Sequence, residues 1–287
     1  MDSIAKKIIL FFTMTAIIFS SNTGFSKDAI VLLTFGTRTN AFATYKYVEE
    51  KFRQHFAEYD IYWAYSSNII RNKTKNKKLY SLKERLKQIG EKGYNKAFVQ
   101  PLFIFPAYEY KLLLNNCKDV HNVKVFVSTP LIKDSKDVPQ TLKAIENYFI
   151  ADGLNIIAGH GTNDHLGNFK DIYTDFASIV ENNYNNVALI TVEGWPGRTQ
   201  LNNLAGKHTF KKALIIPFMF VAGDHIINDI NGRKNSLKKE LTKKFDSVET
   251  LTYSYDNKTY YMGLGFNEKV VNIFVQKLQK LIEETDD

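Results

Sequence analysis

A chain of 287 residues with 44% hydrophobic, 14% aromatic and 24% charged side chains has the composition of a folded globular protein, which excludes disorder and collagen-like repeats. Its single cysteine, Cys117, excludes an intramolecular disulfide and any zinc or iron–sulfur centre built from the cysteines of one chain. The net charge of +8, from 38 basic and 30 acidic residues, points to an anionic partner without choosing among nucleic acid, a membrane surface and a small polyanion.

The N-terminus opens with Lys6 and Lys7, runs through an apolar stretch at 8–19 and ends in small and polar residues at 20–26. This is the three-part pattern of a secretory signal peptide, and its apolar run is well short of the roughly 20 residues that span a bilayer. Residues 1–26 are therefore predicted to direct export to the periplasm and to be removed, leaving no stable membrane anchor. Removal takes Asp2, Lys6 and Lys7 and leaves 36 basic against 29 acidic residues, so the charge falls only to +7 and belongs to the folded chain.

From residue 29 short β-rich runs alternate with longer amphipathic segments. A strand is predicted over 29–35 and a helix over 41–55, with Tyr45, Val48, Phe52 and Phe56 at helical spacing. A strand at 60–65, a helix at 81–91 and strands at 96–104 and 123–128 complete a first half over 27–150. The second half, 151–287, offers strands at 155–158, 187–192, 213–220 and 247–253 and a last helix at 267–284. Near-continuous apolar strands alternating with helices predict an α/β protein of two similar doubly wound domains, their parallel sheets facing a central cleft.

The halves echo one another. Phe35-Gly36-Thr37 returns as His160-Gly161-Thr162, and Lys96-Ala97 followed by Pro101-Leu102-Phe103 returns as Lys212-Ala213 followed by Pro217-Phe218-Met219. In the second register Glu109 falls on His225. Ligands of doubly wound sheets bind at the carboxyl ends of the strands, so the cleft between the halves is the expected site.

Of the six histidines, His160 and His225 follow predicted strands in glycine-bearing turns, and a third strand of the same half ends in Glu193-Gly194-Trp195. Two imidazoles and a carboxylate with open positions suit a divalent first-row metal that must also meet a substrate. Taken singly, each is equally readable as a turn-capping side chain. His55, His121 and His208 read as surface residues, and His165 as a solvated loop residue or accessory ligand. Trp63, Tyr65, Phe103 and Phe105 read as core or cleft wall, and Cys117 has no assigned role.

The segment Pro217-Phe218-Met219-Phe220-Val221-Ala222-Gly223-Asp224-His225, followed by Asn228-Asp229, resembles the signature of the anaerobic sirohydrochlorin cobalt chelatases, the class II chelatases of the cobalamin route. Thr34-Phe35-Gly36-Thr37, Val99-Gln100-Pro101-Leu102 leading to Glu109-Tyr110, Gly159-His160-Gly161-Thr162, Thr191-Val192-Glu193-Gly194 and Gly263-Leu264-Gly265 fit the same family in order, over residues 29–280. The resemblance implies a tetrapyrrole, sirohydrochlorin, in the cleft and a metal held by His160, Glu193 and His225. It makes His160 and His225 the catalytic residues, as ligands and proton acceptors, and places Glu109 on the opposite wall. The metal is a substrate, Co2+ with Fe2+ or Ni2+ as alternatives, and no organic cofactor is implied.

A polycarboxylate macrocycle gives the basic charge a use, with Arg38 and Arg198 as edge contacts. The run Arg71, Lys73, Lys75, Lys77, Lys78 lacks interleaved aromatics, so it reads as a solvated face and not as a nucleic-acid site. Two positions depart from the family pattern, Phe103 where a His is common and Ala107 where a Gly is common. With the export signal, Phe103 keeps open a second reading, an exported carrier of haem, another tetrapyrrole or a metal ion without turnover. A homo-oligomer is compatible with either reading.

Overall fold

The computed structural model describes residues 28–286 apart from 76, 119, 163–168 and 208–209. The predicted leader, His165 and His208 lie outside the described residues. Among the described residues, no helix is long and apolar enough to cross a membrane.

The first sheet holds β1 (Ala29–Thr34), β2 (Asp60–Tyr65), β3 (Lys96–Pro101) and β4 (Lys124–Val127), all parallel, in the order β2-β1-β3-β4. Between and after these strands come α1 (Ala43–His55), α2 (Asn68–Lys73), α3 (Leu82–Glu91), α4 (Tyr108–Asn116) and α5 (Val138–Ile145). The second sheet holds β5 (Leu154–Gly159), β6 (Val187–Thr191), β7 (Lys212–Phe218) and β8 (Ser247–Thr250), again parallel and in the equivalent order β6-β5-β7-β8. Its helices are α6 (Phe169–Asn183), α7 (Thr199–Lys207), a π-helical turn (Ile226–Ile230) and α8 (Leu237–Leu241). An antiparallel hairpin, β9 (Thr252–Tyr255) and β10 (Lys258–Tyr261), precedes α9 (Glu268–Asp286).

Local chemistry sets these elements. Ser81 caps α3 through a reciprocal box in which its hydroxyl accepts from the Glu84 N–H and the Glu84 carboxylate accepts from the Ser81 N–H. The Tyr45, Val48 and Phe52 stripe of α1 is buried as its spacing predicts. Alternation sorts β1 between two cores: Ile30 and Leu32 pack with α1 and α9, while Ala29, Val31 and Leu33 pack under Leu82, Leu86 and Ile89 of α3.

Two features differ from the sequence expectations. The apolar run at 247–253 is split, because β8 ends its pairing with β7 at Thr250 and the chain turns into the separate hairpin. The last helix packs against α1, α5 and β3, so the C-terminal segment covers the first sheet. Asn267 donates to the Ala144 carbonyl at 3.0 Å, and Lys277 reaches Asp137 at 3.1 Å and the Thr129 hydroxyl at 3.3 Å. One apolar core consequently runs through both halves, from Ile30 and Phe98 to Ile157, Phe176 and Phe274.

Candidate metal site

In the second sheet β5 and β7 lie side by side while their connections leave in opposite directions, which opens a crevice at their carboxyl ends. His160 follows β5, Glu193 follows the neighbouring β6, and His225 follows β7 after the turn at 219–224. One ligand atom from each of the three lies within 4.8 Å of the others, with His160 and Glu193 exposed and His225 half-buried.

The two imidazoles meet edge to face, with ring centroids 4.4 Å apart and Nε2 to Nε2 at 3.1 Å. That separation is close to the ~3.3 Å expected of two nitrogens held about 2.0–2.1 Å from one tetrahedral ion. Glu193 Oε2 stands 4.0 Å from His160 Nε2, and its Oε1 stands 3.9 Å from His225 Nδ1. His160 turns its Nδ1 toward the Gly161 carbonyl at 3.1 Å, and His225 turns its Nδ1 toward Asp229 Oδ2 at 2.6 Å. Both rings thus keep Nε2 for the centre of the cluster.

The backbone builds this geometry. The loops after β5 and β6 are joined by Val192 N–H to the Gly159 carbonyl (3.0 Å), Glu193 N–H to the His160 carbonyl (2.9 Å) and Trp195 N–H to the Thr162 carbonyl (2.9 Å). Gly161 makes that approach possible, because its φ is +93° and a Cβ there would stand 1.7 Å from the Glu193 carbonyl oxygen. Its N–H donates to the hydroxyl of Tyr173 at 3.2 Å. Burial pushes that phenol above its ordinary range, so it stays protonated.

The His225 turn is clamped from two sides. Leu264 and Gly265 donate their N–H groups to the Met219 and Phe220 carbonyls, each at 2.8 Å, and a Cβ on Gly265 would stand 2.5 Å from Thr44. From the first half the Thr39 hydroxyl donates to the Ala222 carbonyl at 3.1 Å. The Phe-Gly-Thr loop and the Gly-Leu-Gly block therefore fix the turn that carries His225.

The other expected residues are not drawn into the cluster. Glu109 is half-buried in the first turn of α4. Arg38 is exposed, with no hydrogen bond or ion pair to the described residues. Arg198 is already paired with Glu240 of α8. Phe105 is buried against Tyr173 with centroids 4.6 Å apart, Phe103 packs on the core of the first sheet, and half-buried Trp63 donates to Glu49 at 2.7 Å. These aromatics build the fold. His55 and His121 are exposed, as expected.

Arg71 of the basic run donates to the Tyr65 and Ser66 carbonyls at 2.6 and 2.9 Å, a structural duty at the end of β2. It also lines, with Lys77 and Lys78, an open pocket of about 460 Å³ that contains none of the cluster residues. Asp229 is the contact that sequence reasoning missed. Its signal was the spacing of four from His225, which one helical turn converts into a side-chain pair.

Two parallel sheets in equivalent strand order, with an imidazole–carboxylate cluster past the strand ends of one of them, define an α/β protein with a group of side chains that could hold a metal ion. Residues 28–283 match the cobalt chelatase (CbiK) family, and the chain belongs to that family. It is 24% identical over 218 residues to the sirohydrochlorin cobaltochelatase CbiKC of Nitratidesulfovibrio vulgaris, covering 72% of this chain and 76% of that protein. Its fold is similar to that of SirB from Bacillus subtilis with Fe3+, with a TM-score of 0.61 at 13% identity over 91% of this chain and 97% of the other. It is also similar to DR2241 from Deinococcus radiodurans, a multi-domain protein with structural similarity to chelatases, with a TM-score of 0.55 at 11% identity over 88% of this chain. The chain spans 54% of DR2241. Family membership makes the protein a metal chelatase, with a tetrapyrrole and a divalent ion as the ligands of its class.

Proposed function

We propose that the protein inserts Co2+ into sirohydrochlorin, a step of cobalamin assembly, using His160, Glu193 and His225 to hold the ion. The observation that carries this reading is the cluster itself, three ligand atoms within 4.8 Å of one another past the carboxyl ends of the second sheet's strands. Three protein ligands leave positions for waters and then for macrocycle nitrogens. Insertion exchanges two pyrrole N–H protons for one divalent ion. The imidazoles hold the ion while its waters leave, and each offers its freed nitrogen to one of the two displaced protons once the ion has passed to the macrocycle. Glu193 balances the ion's charge before transfer.

The first half supplies the facing wall, where exposed Phe35 and Tyr108 and the Glu109 carboxylate follow β1 and β3. Arg38, with no partner among the described residues, is the better candidate for pairing with a substrate carboxylate, since Arg198 would first have to leave Glu240. Softness of the ligand set does not separate Co2+ from Fe2+ or Ni2+, and supply decides among them.

The leader-like N-terminus and Phe103 favour a second reading, an exported carrier that binds a tetrapyrrole or metal without turnover. Purified protein incubated with sirohydrochlorin and Co2+, with the absorption change followed against a no-enzyme control, separates the two. Accelerated formation of the cobalt product supports the chelatase, and a bound spectrum with no acceleration supports the carrier.

A further inference from the structure

The two imidazoles of the cluster are held by unequal partners, a neutral carbonyl behind His160 and a carboxylate behind His225. We infer that Asp229 is a positioning residue for metal capture, holding the His225 ring with Nε2 toward the ion. The inference rests on the reading of His225 as a metal ligand.

Geometry supports it from the turn outward. His225 has helical backbone angles, φ −59° and ψ −39°, and caps the π-helical turn that contains Asp229, so the two side chains fall on one face. Buried Ile226 and Ile230, each next in sequence to one of the pair, anchor the turn in the core. The turn is closed by Asn231 N–H donating to the Ile226 carbonyl at 3.2 Å and is tied to β8 by the Thr250 hydroxyl, which donates to Asn231 Oδ1 at 2.7 Å. Neighbouring Asp224 accepts from Asn228 at 2.8 Å and so does not compete for the imidazole. Among the described residues, Asp229 is left with His225 as its partner, at 2.6 Å.

A carboxylate at Nδ1 accepts the ring proton there, which fixes the tautomer and leaves a lone pair on Nε2. Carboxylates behind metal-bound histidines hold the ring orientation in this way. His160 is backed by the Gly161 carbonyl, which orients its ring without a charge.

The test uses the whole protein and Co2+ alone, followed by Co2+ with sirohydrochlorin. Asp229→Ala is expected to weaken Co2+ binding by about 10–100-fold and to raise the KM for Co2+ in step, with the KM for the tetrapyrrole and the melting temperature unchanged. Asp229→Glu is expected to recover part of the loss. Nitrogen NMR of the metal-free protein is expected to show His225 protonated at Nδ1 in the wild type and as a tautomer mixture in Asp229→Ala. Wild-type Co2+ affinity in Asp229→Ala, alongside weakened binding in His225→Ala, would overturn the inference and leave the metal site standing. Failure of His225→Ala to alter Co2+ binding would instead overturn the ligand reading and this inference with it.

Discussion

The ends of β1 and β5 occupy the same place in the two sheets, and each is followed by an aromatic or imidazole side chain, a glycine of positive φ and a threonine. Gly36 has φ +106° and Gly161 φ +93°, so the backbone repeat is preserved at the one bond where it is hardest to preserve by chance. The side chains beside these glycines diverge: Phe35 is 50% exposed where the second half has His160, and Glu109 stands where it has His225. A shared scaffold therefore carries an imidazole–carboxylate cluster in one half and apolar and acidic side chains at the matching positions of the other. The difference also appears in how tightly the glycines are held. A Cβ on Gly36 would come no nearer than 3.0 Å to a methyl group of Ile70, whereas one on Gly161 would stand 1.7 Å from the backbone of Glu193.

The sharpest way to break the comparison is to add a methyl group at each glycine. Gly161→Ala is expected to push the His160 and Glu193 loops apart, abolish Co2+ binding and lower the melting temperature by the larger amount. Gly36→Ala is expected to cost about 1–3 kcal/mol in a urea melt through backbone strain, with Co2+ binding retained. Next in size, His160→Ala is expected to weaken Co2+ binding by about tenfold or more, while Phe35→Ala, its counterpart in the first half, leaves binding unchanged; isothermal titration reads both.

Ion pairs extend the contrast to stability. Lys277 and Asp137 are mostly shielded, with side-chain exposures of 17% and 24%, and join α9 to the start of α5. Lys277→Ala is expected to cost about 1–2 kcal/mol in a chemical melt, between the values for exposed and buried pairs. Lys212 and Asp152 of the second half are 55% and 68% exposed, and Lys212→Ala is expected to leave the melt unchanged. The smallest effect concerns Cys117, whose thiol burial pushes up to about 11. Because the reactive thiolate forms only as the pH nears that value, Ellman's reagent at pH 8 is expected to label the folded protein slowly and the urea-unfolded protein fast.

Much of this was legible in the sequence where one residue type admits one reading. The run AIVLLT at Ala29–Thr34 is apolar on both faces because both faces of the sheet are covered, and His160 and Glu193 stand beside glycines just past strand ends while His225 follows Gly223 in the turn after β7. Contacts made by distant segments were not legible. The pairing of Arg198 with Glu240 joins the turn before α7 to α8, segments that lie far apart in the chain, and the break between β8 and β9 is invisible because both read as β-rich. The docking of α9 on the first sheet was hidden for the same reason, since an amphipathic stripe does not say which sheet it covers. Asp229 was visible as a letter of the signature, but its role needed the turn that folds it back onto His225.

The central claim is that metal transfer to a tetrapyrrole depends on the cluster in the second half. It is tested most directly by the initial rate of Co2+ insertion into sirohydrochlorin, measured for the wild type and for His225→Ala at matched concentrations of folded protein. Insertion above the uncatalysed rate in the wild type and at the uncatalysed rate in His225→Ala is the expected result. Equal rates for the two proteins would contradict the assignment.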